Sequence, residues 1–224
     1  MPRAATLSDW FALFALTVFW GTSFLFIELA LKAFPPAVLV SGRILLGALA
    51  LLLFMWLSGL RLPRDRRVWA GWVVIAVLGI ILPMRFTAWG QQYISSAEAG
   101  VLMAISPLFV YTLSHFFLPG ERLTFVRLGG FALGFAGVIL VIGPTALNDW
   151  SGNMHLLGLL AVLGAALSYS LNSVFARRVS TDQDPMALAT GTILLGALMA
   201  APSGVANLDA VMLPAGFIPW MALG

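Results

Sequence analysis

Four charged side chains lie within or at the ends of otherwise apolar stretches, and they are the first candidates for chemistry. They are Glu28, Arg43, Arg85 and Glu98. Such charges are costly at membrane depth unless they are paired, hydrated or able to reach the interface. Two acids and two bases can neutralise one another as an outer gate, or they can receive a zwitterionic substrate. The alternative is that they snorkel to the surface or form static pairs between helices.

From these four we assign Glu28 and Arg43 to an outer gate or ion pair, and Arg85 to substrate binding. Arg85 follows Pro83, whose missing N–H frees a backbone carbonyl and can bend the helix toward a cavity. Glu98 is expected at the membrane interface, where a carboxylate needs no special role.

A short internal repeat relates two parts of the chain. Residues 42–49 read GRILLGAL and residues 191–198 read GTILLGAL, and the same offset of 149 residues aligns Pro36 with Pro185. A period that contains five membrane spans reverses orientation, because an odd number of crossings ends on the opposite side. We therefore expect inverted five-helix repeats, an architecture of transporters that bind substrate near the midplane. The predicted units are residues 1–147 for the first repeat and 155–224 for a partial second repeat.

The offset also pairs uncharged residues at the middle of the first helix of each unit. Trp20 aligns with Tyr169, and Ser23 aligns with Asn172. Such residues can line a central cavity, with rings for apolar groups of the substrate and hydroxyl or amide groups to orient it. Close helix packing through small residues is the alternative. The predicted substrate-binding residues are Trp20, Ser23, Arg85, Tyr169 and Asn172.

The elements that hold these residues are predicted to be membrane-spanning helices. Of the 224 residues, 61% are hydrophobic and 9% are charged, against about 45–50% and about 25% in soluble domains. Several uncharged runs are long enough, at about 1.5 Å per helical residue, to cross a hydrocarbon core of about 30 Å. The fold class is thus an all-α polytopic membrane protein with seven transmembrane helices and the start of an eighth, the second repeat being incomplete. The expected spans are about 10–31, 36–58, 69–91, 97–118, 125–143, 156–177 and 186–205, with another from about 214.

Basic residues between the spans predict the orientation. Lys32 is the single basic residue expected in the loops of one side. The opposite side carries Arg3, Arg61, Arg64, Arg66, Arg67, Arg122, Arg127, Arg177 and Arg178. Because cytoplasmic loops are enriched in basic residues, the N-terminus is expected in the cytoplasm.

Composition also excludes several function classes. The chain has no cysteine, so disulfides, zinc–thiolate sites and iron–sulfur clusters are excluded. His115 and His155 have no partner at metal-ligand spacing, and we predict neither a metal site nor a cofactor. No nucleophile and base converge at the membrane midplane, so we predict that the chain is not an enzyme. The basic residues alternate with apolar runs rather than forming one face, which argues against nucleic acid as a partner.

Local motifs resemble a known family. They are WGTSF at residues 20–24, the Pro35–Pro36 pair with Arg43, SPLF at 106–109, GERLT at 120–124 and GFAGV at 134–138. Together they resemble the EamA-like branch of the drug/metabolite transporter superfamily, strongly over residues 10–144 and more loosely beyond.

This resemblance implies a ten-helix transporter of two inverted repeats with cytoplasmic termini, in a bacterial inner membrane. Since the sequence stops after seven spans and part of an eighth, we expect a truncated chain. The leading hypothesis is a secondary transporter that exports or exchanges amino acids or other small metabolites by alternating access. The alternative is an accessory or half-transporter subunit that needs a partner chain. The expected partners are the lipid bilayer and a small-molecule substrate.

Overall fold

A computed structural model describes residues 6–118, 124–142, 154–180 and 183–211 of the chain. All regular secondary structure in these ranges is helical. The helices are α1 (Leu7–Ala30), α2 (Pro36–Leu57), α3 (Arg66–Gly90), α4 (Ser96–Phe117), α5 (Phe125–Ile142), α6 (Met154–Val179) and α7 (Pro185–Val205), followed by a short 3₁₀ turn at Leu208–Ala210.

Each of the seven predicted complete spans coincides with one of these helices. Six of them, α1 to α4 with α6 and α7, are long and apolar enough to cross a membrane. The all-helical polytopic class is therefore confirmed. The eighth span expected from about residue 214 lies outside the described residues.

Local signals in the sequence explain where several helices begin. Thr6 and Asp9 form a reciprocal capping box at the start of α1, and Ser95 and Glu98 form another at the start of α4. Each box satisfies backbone N–H groups that have no partner within the helix. The carboxylate of Asp184 accepts the N–H of Ala187 at 2.9 Å and so caps α7.

Helix α3 contains a π-helical segment, Val77–Ile81. The N–H of Leu82 donates to the carbonyl of Val77, five residues earlier. Pro83, the next residue, has no N–H to continue this pattern toward the carbonyl of Leu78. The hydroxyl of Ser168 on α6 donates to that carbonyl instead, at 2.8 Å. A side chain of another helix thus supplies the donor that proline lacks.

Helices α2 and α7 pack against each other through reciprocal contacts. A methyl group added to Gly47 would lie 2.8 Å from Cδ1 of Ile193, and one added to Gly196 would lie 3.4 Å from Cγ2 of Ile44. The offset of 149 residues aligns Ile44 with Ile193 and Gly47 with Gly196. Partner numbers fall along one helix as they rise along the other, so the pair is antiparallel.

Helix α6 runs between α3 and α4. It is parallel to α4, since His155 contacts Glu98 near the start of both helices and Arg178 donates to the carbonyl of Phe117 near their ends. Helix α1 is antiparallel to α4, because Glu28 near its end accepts the first backbone N–H of α4. Helices α1 and α6 therefore run in opposite directions, as α2 and α7 do.

Candidate functional site

Two cavities lie side by side around the middle of α1. The larger has a volume of about 750 Å³ and is lined by α1, α4 and α6. The smaller has a volume of about 340 Å³ and is lined by α1 to α4 together with Tyr169 of α6. Cavities of this size match sites for small molecules. Five residues line both cavities: Leu16, Trp20, Phe24, Met103 and Tyr169.

Trp20 and Tyr169 meet between the two cavities. Their ring centroids are 5.9 Å apart and the rings are tilted by 54°, within the range of favourable aromatic pairs. Each lies ten residues before the end of its own helix, about 15 Å at 1.5 Å per residue. Because α1 and α6 are antiparallel, the rings approach from opposite ends and meet near the midpoints of the two helices.

Arg43 and Ser23 lie beside this aromatic pair in the smaller cavity. Nη2 of Arg43 donates to Oγ of Ser23 at 3.0 Å, which ties α2 to α1. Arg43 is seven residues from the start of α2, about 10 Å into the helix. Trp20, Ser23, Arg43 and Tyr169 all line the smaller cavity and are called the central cluster below.

The structure places Arg85 and Asn172 apart from the central cluster. Arg85 is exposed, and it donates to Oγ of Ser203 on α7 rather than lining either cavity. Asn172 lies against Gly79 of the π segment, where an added methyl group would be 2.5 Å from its Nδ2. Its Oδ1 is buried without a hydrogen-bond partner. Three of the five predicted binding residues, Trp20, Ser23 and Tyr169, are thus brought together.

Glu28 and Arg43 have separate partners, so the predicted ion pair between them is not formed in this conformation. Oε2 of Glu28 accepts the backbone N–H of Ser96 at 2.8 Å. This N–H belongs to the first turn of α4 and has no acceptor within its own helix, where the helix dipole also favours a negative charge. The guanidinium of Arg43 instead binds the hydroxyl of Ser23.

Several contacts between the helices were not predicted from the sequence, and two of them lie at the ends of helices that line the cavities. His155 lies 2.9 Å from Glu98 and joins the starts of α4 and α6. Nε2 of Gln91 donates to the carbonyl of Phe24 at 2.9 Å and joins the end of α3 to α1. A partner 57 residues away leaves no local signal in the sequence.

The arrangement is suited to binding rather than to covalent chemistry. Within the described ranges, no three His, Cys, Asp or Glu side chains are grouped to hold a metal ion. The central cluster offers two aromatic rings, the hydroxyl groups of Ser23 and Tyr169 and one guanidinium around an open volume. These groups can enclose an apolar body and orient a polar end.

Comparison with known proteins gives the family of this chain. The model of the EamA-like transporter family matches residues 8–143. The uncharacterized inner membrane transporter YedA of Escherichia coli is 30% identical over 202 residues, 85% of this chain and 61% of YedA. A WAT1-related chloroplastic protein of Arabidopsis thaliana is 31% identical over 92% of this chain and 49% of its own length. The uncharacterized transporter YoaV of Bacillus subtilis is 26% identical over 83% of this chain and 62% of its own length.

This chain thus spans between 49% and 62% of the length of these three relatives. A crystal structure with a TM-score of 0.59 and 24% identity covers 93% of this chain and 73% of its own, which supports the fold alone. Members of the matched family are transporters and not enzymes, as predicted for this sequence. This multi-pass membrane protein therefore belongs to the EamA-like transporter family of the drug/metabolite transporter superfamily.

Proposed function

We propose that the protein is a secondary transporter that exports or exchanges amino acids or other small metabolites by alternating access. The observation that carries this proposal is the meeting of Trp20 and Tyr169 between two cavities. The two rings come from antiparallel helices and lie near the middle of each. A substrate held at these rings is reached from opposite sides when the surrounding helices tilt.

The reciprocal contacts of α2 and α7 support the repeat architecture on which this proposal depends. Ile44 packs on Gly196 as Ile193 packs on Gly47, and an axis of approximate two-fold symmetry between the helices accounts for both contacts. In this proposal residues 1–147 and 155–224 belong to inverted repeats that rock against each other. The N-terminus is on the cytoplasmic side, because the basic loops are on that side.

Two irregular places in the helices suit such a movement. One is the π segment of α3, and the other is the break in α4 at residues 104–105, just before Pro107. π segments and prolines interrupt the regular hydrogen-bond ladder and allow a helix to change direction. Both irregular places lie on helices that line the smaller cavity.

A flux assay in sealed proteoliposomes tests the proposal. Vesicles are loaded with labelled amino acids or small organic acids, and efflux is compared for the unaltered chain, Trp20→Ala and Tyr169→Ala. Each variant should lower flux about tenfold or more, because the aromatic surface at the crossing point is lost. Trp56→Ala is the matched control, since Trp56 is 75% exposed on α2 and lines neither cavity. Flux that is the same in protein-containing and empty vesicles would refute transport by this chain.

A second candidate function is that of a subunit that completes its pathway with a partner chain. The observation that favours it is the exposure of α1: 11% of its apolar 18-residue stretch is buried, against 39% of the corresponding stretch of α6, the helix aligned with it. Phe11, Phe14 and Phe19 are each more than half exposed on α1. Photo-crosslinking from position 14 in native membranes should capture a distinct membrane protein if this candidate is correct, and lipid alone if it is not.

A further inference from the structure

The guanidinium of Arg43 is a cationic group whose charge no described residue neutralises. Nη2 donates to the hydroxyl of Ser23 at 3.0 Å. Over the described residues, no carboxylate lies within ion-pair distance of this side chain. Ser23 is neutral, so the contact orients the guanidinium without cancelling its charge. An arginine side chain carries five N–H donors, and this contact uses only one of them.

The position of Arg43 makes an unneutralised charge costly. It lies about 10 Å into α2 by the rise of the helix, well inside a predicted membrane span. Charged groups at such depth pair with an opposite charge or face a hydrated cavity, and they commonly mark substrate pathways. Arg43 lines the smaller cavity, so an anion that enters this cavity reaches the guanidinium directly.

The larger cavity has no charged side chain among its described lining residues. Most of its serine and threonine hydroxyls donate to nearby backbone carbonyls. These residues are Thr17, Ser106, Ser170 and Ser173. The remaining surface is mostly aliphatic and aromatic. An anionic group gains no charged donor there, whereas an apolar group is desolvated favourably. The two cavities meet at Trp20 and Tyr169, so one molecule can occupy both.

Neither cavity has an acidic side chain among its described lining residues. A substrate ammonium group would therefore lack a carboxylate partner and would meet only neutral hydroxyl oxygens and the faces of the aromatic rings. A carboxylate meets a planar guanidinium, which binds it through two parallel hydrogen bonds. The charge pattern of the cavities thus selects a net anion over a zwitterion or an amine.

We infer that the substrate class is a small organic carboxylate with an apolar or aromatic body, its carboxylate bound by Arg43 and its body packed against the rings of Trp20 and Tyr169. This inference rests on the proposed transport function, since it names the solute class that enters the proposed site. It assigns to Arg43 a substrate-binding role in place of the ion pair expected from the sequence.

Direct binding to the purified full chain in detergent tests the inference without any transport step. The probes are 3-phenylpropionate, 3-phenylpropanol, 3-phenylpropylamine and phenylalanine, which share the ring and differ in charge. Isothermal titration at pH 7.4 should give the highest affinity for the phenylpropionate anion, by about tenfold or more over the alcohol. Equal affinity for the acid and the alcohol, or a preference for the amine, would overturn the inference.

Variants then locate the anion contact. Arg43→Gln should remove about tenfold or more of the affinity for phenylpropionate and leave the affinity for the alcohol within about twofold. Arg43→Lys should restore part of the preference for the anion, because it returns the charge without the planar fork. Arg64→Gln is the control, as Arg64 is an exposed loop arginine. A loss of affinity for acid and alcohol alike in Arg43→Gln would indicate a structural role and overturn the assignment.

A lipid headgroup is the other possible source of an anion at Arg43. Phosphatidylglycerol added to the micelles should not compete with phenylpropionate if the inference holds. Displacement of phenylpropionate by the lipid in the unaltered chain would instead assign the site to lipid. Because these measurements need no flux, a chain that binds the anion but does not move it refutes the proposed transport alone. A chain that moves solutes but does not prefer the anion refutes the inference alone.

Discussion

Gly191→Ala provides the sharpest test of how the repeated motif packs. Gly191 belongs to the GTILLGAL segment, and it lies on α7 directly against the indole of Trp72. An added methyl group would lie 2.0 Å from Cζ3 and 2.2 Å from Cε3 of that ring. Carbon atoms pack favourably at about 3.5–4.0 Å, so the methyl group and the ring cannot both keep their places.

The ring has little freedom to move away. Trp72 is 1% exposed, and its Nε1 donates to Oε1 of Gln183 at 2.6 Å. Trp69 packs on it with ring centroids 5.2 Å apart. Overpacking of a core costs about 1–3 kcal/mol, and complete loss of a buried tryptophan costs about 3–5 kcal/mol. After the gain of about 0.5–1 kcal/mol from removing a glycine within a helix, we expect a net loss of about 2–4 kcal/mol in the free energy of unfolding.

Unfolding in mixed micelles, followed by circular dichroism as sodium dodecyl sulfate is added, measures this loss. The decisive comparison is Gly191→Ala in a Trp72→Leu background, where the obstructing ring is absent. There the same substitution should become neutral or stabilising by up to about 1 kcal/mol. Gly130→Ala is the control, since among the described residues no atom beyond its chain neighbours and its own helix backbone lies within 4 Å of the added methyl group. An unchanged stability of Gly191→Ala, or the same loss with and without the indole, would refute this account of the contact.

Three further predictions concern the contacts of α6. Gly79→Ala should lower the free energy of unfolding by about 1–2 kcal/mol and Asn172→Ala should reverse this loss, because the amide of Asn172 occupies the space of the added methyl group. Ser168→Ala should cost about 0.5–2 kcal/mol, since it leaves a carbonyl of the π segment without its donor. Glu98→Gln and His155→Phe should show a coupling of about 0.5–1 kcal/mol in a double-mutant cycle, as the two side chains are 2.9 Å apart.

The same unfolding assay checks all three predictions. Ser173→Ala is the matched control for Ser168→Ala, because the hydroxyl of Ser173 donates within its own helix, to the carbonyl of Tyr169. It should change stability by less than about 0.5 kcal/mol. Equal losses at the two serines would contradict the role given to the interhelical hydrogen bond. Additive effects at Glu98 and His155, or a loss at Gly79 that persists without the amide, would contradict the other two predictions.

The helices were predictable because their causes are local. Apolar runs of sufficient length predicted membrane helices, and prolines such as Pro36 and Pro185 lie where two of them begin. The repeat was visible because GRILLGAL and GTILLGAL are nearly identical strings. The offset of five predicted spans also predicted opposite directions for α2 and α7, and their contacts are those of an antiparallel pair.

The site was only partly predictable. Trp20, Ser23 and Tyr169 were found because an internal alignment relates the helices that carry them. Asn172 was selected by the same alignment and Arg85 as a charged residue that follows Pro83, yet both lie apart from the central cluster. Which way a side chain faces depends on the rotation of its helix against its neighbours, and an apolar helix with little amphipathic pattern does not reveal this rotation.

The sequence by itself determined the class of the protein, its helical spans, its predicted orientation and the family that its motifs resemble, because each depends on composition or on local order. Only the tertiary structure decided the partners. In the structure, Arg43 donates a hydrogen bond to Ser23, and Glu28 accepts a backbone N–H at the N-terminus of α4, so the two side chains do not bind each other. The structure also shows that the hydroxyl of Ser168 donates to the carbonyl of Leu78, in the helix that contains Pro83. Such partners are fixed by helix packing over tens of residues of separation, and hydrogen bonds of this kind leave no pattern along the chain.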